Sequence, residues 1–473
     1  MSHATQSLAT YAAQARNAEF PALARKRAVD AITDCIACML AGANEPVAAK
    51  LFNVIPSSPA SRQMPSLLVG RGAYAAPADA ALFNGTVAHA LDYDDTNHPG
   101  YAHVGAPVVA TMLALAPKMQ ATGKDLVAGY ILGLEVIGKL GRALNPAHLK
   151  QGWHPTATFG TVAAAAVAGH MLHLDEHKMA LAIGIAASAA GGWRANFGTM
   201  VKPLHGGYAA RNGVLAALLA QQELTATENA LEHRYGYCNV LTPGGSDLTQ
   251  LEKWGESLEI LTDYGLALKP YPSCGATHAA IEAALILYKE LDGAPIRSVR
   301  AGVSELAFEP LIYVVPKTPL EGKFSLHYCI AAALITGAVN LETFTEKVFS
   351  NQAIHDLIPR ITMEADDRVR HDPEFATVIS VETESGKQHE SLVPLAVGKP
   401  ERWFSEEQIL SKFLDCTRAA SDKGAADRLY IECCVRWRKG RPAATCWVVW
   451  QVSRNSTNKH SKRSNRRRTY VDT

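Results

Sequence analysis

Residues 161–169 read TVAAAAVAG, and residues 179–190 read MALAIGIAASAA. Neither run alternates as a half-buried strand does, and neither keeps a polar face. A helix that is apolar all the way round belongs inside a large helical body. Alanine and glycine in such helices let neighbouring backbones approach closely, so these two runs imply a tightly packed, multi-helix domain. The texture extends outward on both sides. Lys26–Ala41 places apolar residues at i, i+3, i+4 and i+7 and stops at Gly42. Pro107–Met119, Asp125–Leu144, Thr156–Leu174, Glu176–Ala190 and Ala209–Gln222 read as further helices.

Around Leu268 the pattern changes. Ser298–Phe308 (SVRAGVSELAF) and Ala376–Thr383 (ATVISVET) alternate as strands do, and Ser385-Gly386 supplies a hairpin turn into Lys387–Val393. Helix-like stretches at Tyr328–Val339 and Leu341–Val348 lie between them, and helical character returns from Glu406 to Leu429. The expected fold is mainly α: a large all-helical domain over 1–267, a smaller α+β lid domain over 268–400, and a return to the helical domain over 401–435. Residues 436–473, with Trp437, Trp447 and Trp450 beside a Ser/Asn/Arg/Lys run, read as an atypical basic tail whose plainest state is disorder.

Composition narrows the class. Of 473 residues, 48% are apolar and glycine shows no period, which excludes a disordered chain, a collagen and a disulfide scaffold. A single core rarely grows past ~250–300 residues, so two domains are expected. The net charge of +1 conceals an asymmetry: seven Lys/Arg fall between Arg454 and Arg468, and one acid, Asp472, follows. The first 453 residues thus keep 39 basic against 44 acidic groups, a net of −5, and the main body has no reason to bind nucleic acid. Nine irregularly spaced cysteines suggest reduced thiols. Cys35 and Cys38 form a CxxC, but no second pair follows at zinc spacing, and both lie in an apolar stripe with Val29, Ile32, Ile36 and Leu40, as core thiols would. The N-terminus lacks a basic segment followed by an apolar core, and Glu19 and Asp30 count against a mitochondrial presequence. Thr156–Leu172, the most membrane-like stretch, is short and carries His170. The expectation is a soluble protein, cytoplasmic with a mitochondrial location as the alternative, without a membrane partner.

The densest polar stretch is LDYDDTNHPGYAH, residues 91–103. Asp92, Asp94 and Asp95 alternate there with His98 and His103, on a helix end that Pro99 and Gly100 turn into a loop. Further along come His154 in GWHP, Lys202 in MVKPLHGG, and His278 in YPSCGATH. Each has an ordinary reading. These are a solvated loop, a capping or core histidine, a lysine in a Gly-bounded turn reaching solvent, and a helix-start histidine facing solvent. Only the set points to chemistry.

As a set, the chain resembles the MmgE/PrpD family, which includes 2-methylcitrate dehydratase, cis-aconitate decarboxylase and an iminodisuccinate epimerase. The resemblance is carried in order by FNGTVAHALDYDDTNHP (83–99), GWHPTATFG (152–160), MVKPLHGGYAARNG (200–213), KPYPSCGATHAAIEA (269–283) and EGKFSLHY (321–328). It implies an active site between the helical and lid domains, a homodimer, a small carboxylic-acid substrate, and no metal or organic cofactor. Residue by residue, it implies Asp92 and Thr96 from the first block, then His103, His154, Lys202 and His278. Tyr313, in LIYVVP, matches an active-site tyrosine across a gap. His103 would be the principal acid/base and Lys202 the anchor of a carboxylate or enolate. His154 and His278 would bind substrate or relay protons, Asp92 would orient a histidine, and Thr96 and Tyr313 would donate or accept hydrogen bonds. The chain departs from many relatives in having Val104-Gly105 after His103 where they have Pro-Ser, and again after Leu429.

The shared chemistry is making or quenching charge on a carbon beside a carboxylate. Histidine suits the proton transfer, and cations suit the developing charge. The expectation is a cofactor-independent lyase on a citrate-like di- or tricarboxylate. Dehydration of the 2-methylcitrate type is placed ahead of cis-aconitate decarboxylation or an epimerisation. Two remoter readings exist. Asp94-Asp95-Thr96-Asn97-His98 in a helical body resembles a terpene-synthase magnesium site, but imidazoles interleaved with the acids suit magnesium poorly. A helical scaffold binding nucleic acid through the basic tail would show steep salt dependence.

Overall fold

The structure, a computed structural model, describes residues 3–59 and 65–418. The described residues form two compact units, one from those up to Leu268 together with 405–418, the other from Lys269–Phe404. The second half of the 401–435 stretch and the 436–473 tail lie outside the described residues.

The first unit is built from α1 (Ala4–Gln14), α2 (Ala22–Gly42), α3 (Pro46–Phe52), α4 (Pro77–His89), α5 (Gly105–Met119) and α6 (Gly123–Leu144). There follow α7 (Ala147–Lys150), α8 (Pro155–Met171), α9 (Glu176–Ala189), α10 (Val201–Gln221) and α11 (Tyr237–Leu241). Its centre is α4, α5, α8 and α10, which pack on one another. Every residue of α8 is buried, as its all-apolar sequence requires. A short antiparallel hairpin, β1 (Ser66–Leu68) and β2 (Ala73–Ala75), was not anticipated from the sequence.

Missing side chains set the helix crossings. A Cβ on Gly207 of α10 would stand 2.2 Å from Thr86 Oγ1 and 2.3 Å from the Leu82 carbonyl oxygen of α4. A Cβ on Gly213 would stand 2.4 Å from the Cβ of Ala164 on α8. The C-terminal end of α4 is thereby held against the first turns of α10. Cys35, Cys38 and Cys416 are buried free thiols. Among the described residues no single helix is long and apolar enough to cross a membrane.

The second unit contains α12 (His278–Leu291), β3 (Ile296–Val303), α13 (Pro319–Gly322), α14 (Leu326–Thr336), α15 (Glu346–Phe349), α16 (Gln352–Leu357), β4 (Ile361–Ala365), β5 (Thr377–Thr383) and β6 (Gln388–Val393). The strands form one sheet in the order β4-β3-β5-β6, with β3 and β4 parallel and the other pairs antiparallel. Ile281, Leu287, Val299, Ile330 and Val381 belong to its core. Back in the first unit, α17 (Glu406–Thr417) packs on α2.

Three local readings need correction. The strand read as Ser298–Phe308 ends at Val303, and Glu305–Phe308 is a 3-10 turn. The helix read as Leu341–Val348 is a 3-10 turn capped by Asn340, followed by the single turn of α15. The helix read from Ala209 begins at Val201, so Lys202 sits in the first turn of a helix and not in a glycine-bounded turn.

Candidate active site

Four helix ends bring the polar residues of the first unit together. α4 ends at His89, and the chain then turns through Asp92, which adopts a left-handed backbone (φ 54°). Aspartate tolerates that region better than most side chains. Beyond the turn, Thr96 pairs with Ala267 through both backbone groups, at 2.9 and 2.8 Å, and Asn97 donates to the Gly265 carbonyl at 2.7 Å. The loop so pinned delivers His103, whose backbone N–H donates to Thr156 Oγ1 in the first turn of α8 at 3.0 Å. His154 stands at the start of α8, and Lys202 and His205 stand in the first turns of α10.

These side chains form a continuous chain of contacts. Lys202 Nζ lies 2.6 Å from Asp92 Oδ1, and that oxygen lies 3.3 Å from His103 Nε2. On the other edge of the ring, His103 Nδ1 is 3.1 Å from Asp94 Oδ1. The same carboxylate oxygen is 3.0 Å from His89 Nδ1. The His89 and His103 rings are 4.1 Å apart between centroids, and His89 stacks at 6.0 Å on His154. His154 and His205 share a hydrogen bond between their Nδ1 atoms at 2.9 Å. Phe197 closes this side, edge-on to His154 and 5.5 Å beneath the Lys202 ammonium.

All of these polar groups are buried. Burial pushes His89 down to about 3 and His205 down to about 4, with nearby positive charge adding to the effect. His154 is held well below its ordinary value for the same reasons. Burial alone would raise the Asp94 carboxyl, but the imidazoles of His103 and His89 outweigh it and keep the group ionised far into acid. Asp95 behaves oppositely. Burial and the charge of Asp94 raise it to about 7 against the hydrogen bonds it accepts from the Tyr130 hydroxyl and the Gly105 N–H.

The result is one imidazole with carboxylates on both edges, beside a lysine and three imidazoles held neutral. Such a site can hold an anion and deliver a proton. The ring nitrogens of His89 and His103 and an Asp94 oxygen all lie within 4.8 Å of one another, a spacing an ion could bridge. The 3.0 Å separation of His89 Nδ1 is instead that of an imidazole N–H donating to the Asp94 carboxylate, and His103 Nδ1 stands 3.1 Å from the same oxygen as an ion-pair contact.

Of the residues singled out in the sequence, Asp92, His103, His154 and Lys202 meet here. Thr96 serves the loop through its backbone. His98 packs instead on Tyr101 and Tyr264, at 5.0 and 5.9 Å. Lys202 is buried and does not reach solvent, and His154 makes no cap hydrogen bond. His89, Asp94 in its bridging role and His205 were not singled out. His205 lies three residues after Lys202, on the same helical face, a signal available once the helix is started at Val201.

The second unit has its own polar group. His278 opens α12 but is buried, and its Nε2–H donates to the Ser273 carbonyl at 3.2 Å. Lys269 Nζ donates to the same carbonyl at 3.0 Å, another buried ammonium that the sequence reading passed over. Tyr313 is half-buried in a loop between exposed Ile312 and Val314, and burial raises its hydroxyl pKa.

Comparison with known proteins gives a consistent picture. The model of the MmgE/PrpD N-terminal domain matches residues 6–249, and that of the MmgE/PrpD C-terminal domain matches residues 271–435. The chain is 29% identical over 312 residues to a cis-aconitate decarboxylase of Homo sapiens, a match covering 61% of each chain. It is 28% identical over 358 residues to that of Mus musculus, covering 71% of each. It is 26% identical over 453 residues to that of Aspergillus terreus, covering 89% of this chain and 90% of the other.

Proposed function

Because the chain belongs to the MmgE/PrpD family, we propose that it is a lyase acting on a citrate-like di- or tricarboxylate, and that it releases carbon dioxide from a cis-aconitate-like acid. The observation that carries this reading is the seat of His103. Both ring nitrogens lie close to carboxylate oxygens, at 3.3 and 3.1 Å, an ion-pair arrangement that favours the protonated ring. His103 is thus loaded as an acid, while His89, His154 and His205 are held neutral.

In the reaction the bond between the carbon skeleton and one carboxylate breaks, and its electron pair stays on the skeleton, spread toward a neighbouring carboxylate. His103 gives a proton to the carbon and becomes neutral. Lys202, freed from Asp92 by a competing substrate carboxylate, stabilises the negative charge while it develops. A decarboxylation needs an anion anchor and one proton donor, which this site has. The relatives that bear the name cis-aconitate decarboxylase support the same choice, in place of the dehydration that the sequence alone put first. The roles of His278, in binding substrate or relaying protons, and of Tyr313, as a hydrogen-bond partner in the chemistry, rest on the family resemblance.

Proton NMR in D₂O with EDTA tests the reading, with cis-aconitate, 2-methylcitrate and citrate offered separately. Paired vinyl signals from cis-aconitate, carrying deuterium at the newly protonated carbon, are the expected result. Water loss from 2-methylcitrate with cis-aconitate untouched would overturn decarboxylation in favour of dehydration.

A further inference from the structure

One buried cation of the first unit has no part in the chemistry above. Lys412 comes from α17, and its Nζ lies 2.7 Å from Asp34 Oδ1 on α2. The same ammonium donates to the backbone carbonyl of Tyr93 at 2.8 Å and stands 3.9 Å from the centre of the Tyr93 ring. Tyr93 is the residue between Asp92 and Asp94. Its carbonyl belongs to the peptide group whose N–H is that of Asp94, so whatever holds this carbonyl fixes the plane from which the Asp94 side chain leaves the backbone and anchors the turn one residue after Asp92.

The turn needs such a hold. Asp92 is in the left-handed region, which aspartate tolerates better than most residues but at a cost that its surroundings must offset. Lys412 and Asp34 are both buried, and the second carboxylate oxygen of Asp34 has no hydrogen-bond partner among the described residues. Burial works against the Lys412 ammonium, but Asp34 outweighs it and keeps Lys412 protonated.

We propose that Lys412 is a positioning residue: by holding the Tyr93 carbonyl it fixes the turn that presents Asp92 and Asp94 to the two edges of His103. This inference rests on the acid/base reading of His103. Lys412 acts through the turn and does not touch the reacting atoms.

Three variants of the full chain separate this role from a structural one. Asp34→Leu/Lys412→Met replaces the ion pair by apolar groups without leaving a lone buried charge. It is expected to lose kcat by a factor of order 100, as misplaced catalytic groups do, with KM changed less than about threefold. Asp34→Asn removes the counter-charge but leaves the Lys412 amine, charged or neutral, an N–H to donate to the Tyr93 carbonyl; a fall in melting temperature is expected, with kcat of the folded protein within about threefold. Asp34→Asn/Lys412→Gln keeps an uncharged donor there and is expected to recover most of the lost kcat. The second readout is the titration of His103 by NMR of ¹⁵N-histidine-labelled protein, its signal identified by its loss in His103→Gln. The midpoint is expected to fall in the apolar pair and to stay in Asp34→Asn.

A folded apolar pair with wild-type kcat and an unmoved His103 would overturn the proposal. So would a Gln variant as impaired as the apolar pair. If the wild-type chain turns over none of the acids offered, the functional reading has failed, and the His103 titration still decides the positioning role.

Discussion

Protonating an imidazole from which water has been expelled is costly, and this orders the histidines of the first unit. His103 escapes the cost because Asp92 and Asp94 flank it; His89, His154 and His205 do not. His103→Gln keeps a polar side chain of similar reach but cannot carry the proton. Its kcat is expected to fall by ~10²–10⁴-fold, read in the same NMR assay. His148, outside the site, isolates the effect of burial on stability. It packs against Phe159, hydrogen-bonds Thr158 at 3.0 Å and is pushed down to about 3. In the unfolded chain it protonates below about 6.5 and in the folded chain only near 3. The stability it supports is therefore complete above pH 6.5 and is lost as pH falls toward 3, to the extent of roughly 5 kcal/mol. In His148→Phe, the melting temperature is expected to fall less steeply between pH 6.5 and 4 than in the wild type. The candidate site residues were legible as types: a carboxylate, an imidazole or a lysine in an apolar context stands out in a linear sequence. Which carboxylate oxygen bridges which two rings did not, because the bridge from His103 through Asp94 to His89 depends on the turn at Asp92.

Helices read well where their apolar pattern ran unbroken, and α8 is the clearest case. The start of α10 misread because Pro203, Gly206 and Gly207 are ordinary signs of a turn. Proline is tolerated in a first helical turn, where its missing N–H would have had no partner. The glycines are there because α4 leaves no room for a side chain, a fact about the neighbour and not about local propensity. Gly207→Ala tests this directly. Its Cβ would overlap Thr86 Oγ1 and the Leu82 carbonyl, parting α4 from α10 at a cost of ~1–3 kcal/mol and separating His89 from His205. A lower melting temperature together with a lower kcat is expected. Gly191→Ala, where an added Cβ meets nothing within 4 Å, is expected to leave both unchanged. The strand and helix misread near Ser304 and Leu341 are one-turn elements, too short for a period to show.

At the scale of the whole molecule, α10 leaves Val201, Tyr208 and Leu215 exposed at seven-residue intervals, hence along one face. We propose that this face meets a second copy of the chain, as the family resemblance implies. Light scattering after size-exclusion chromatography is expected to give about twice 50.8 kDa, and Tyr208→Glu/Leu215→Glu to give a single chain's mass. A wild-type monomer would rule the arrangement out. The change of texture at Leu268 was readable because it is a change of period. The return of the chain in α17 was readable as helix, but not its use, since nothing in EEQILSKFLDCT says that Lys412 ends on a carbonyl 319 residues earlier. That separation has a consequence in time. The ribosome must make about 140 further residues between the end of the first stretch, Leu268, and Lys412, which at ~5–20 residues per second takes ~7–30 s. Throughout that interval the nascent helical body holds Asp34 without its cation and the Asp92 turn without its clasp. Chaperone engagement and proteolytic sensitivity of the newborn chain should therefore be greatest in that window, and the enzyme should switch on only as α17 docks.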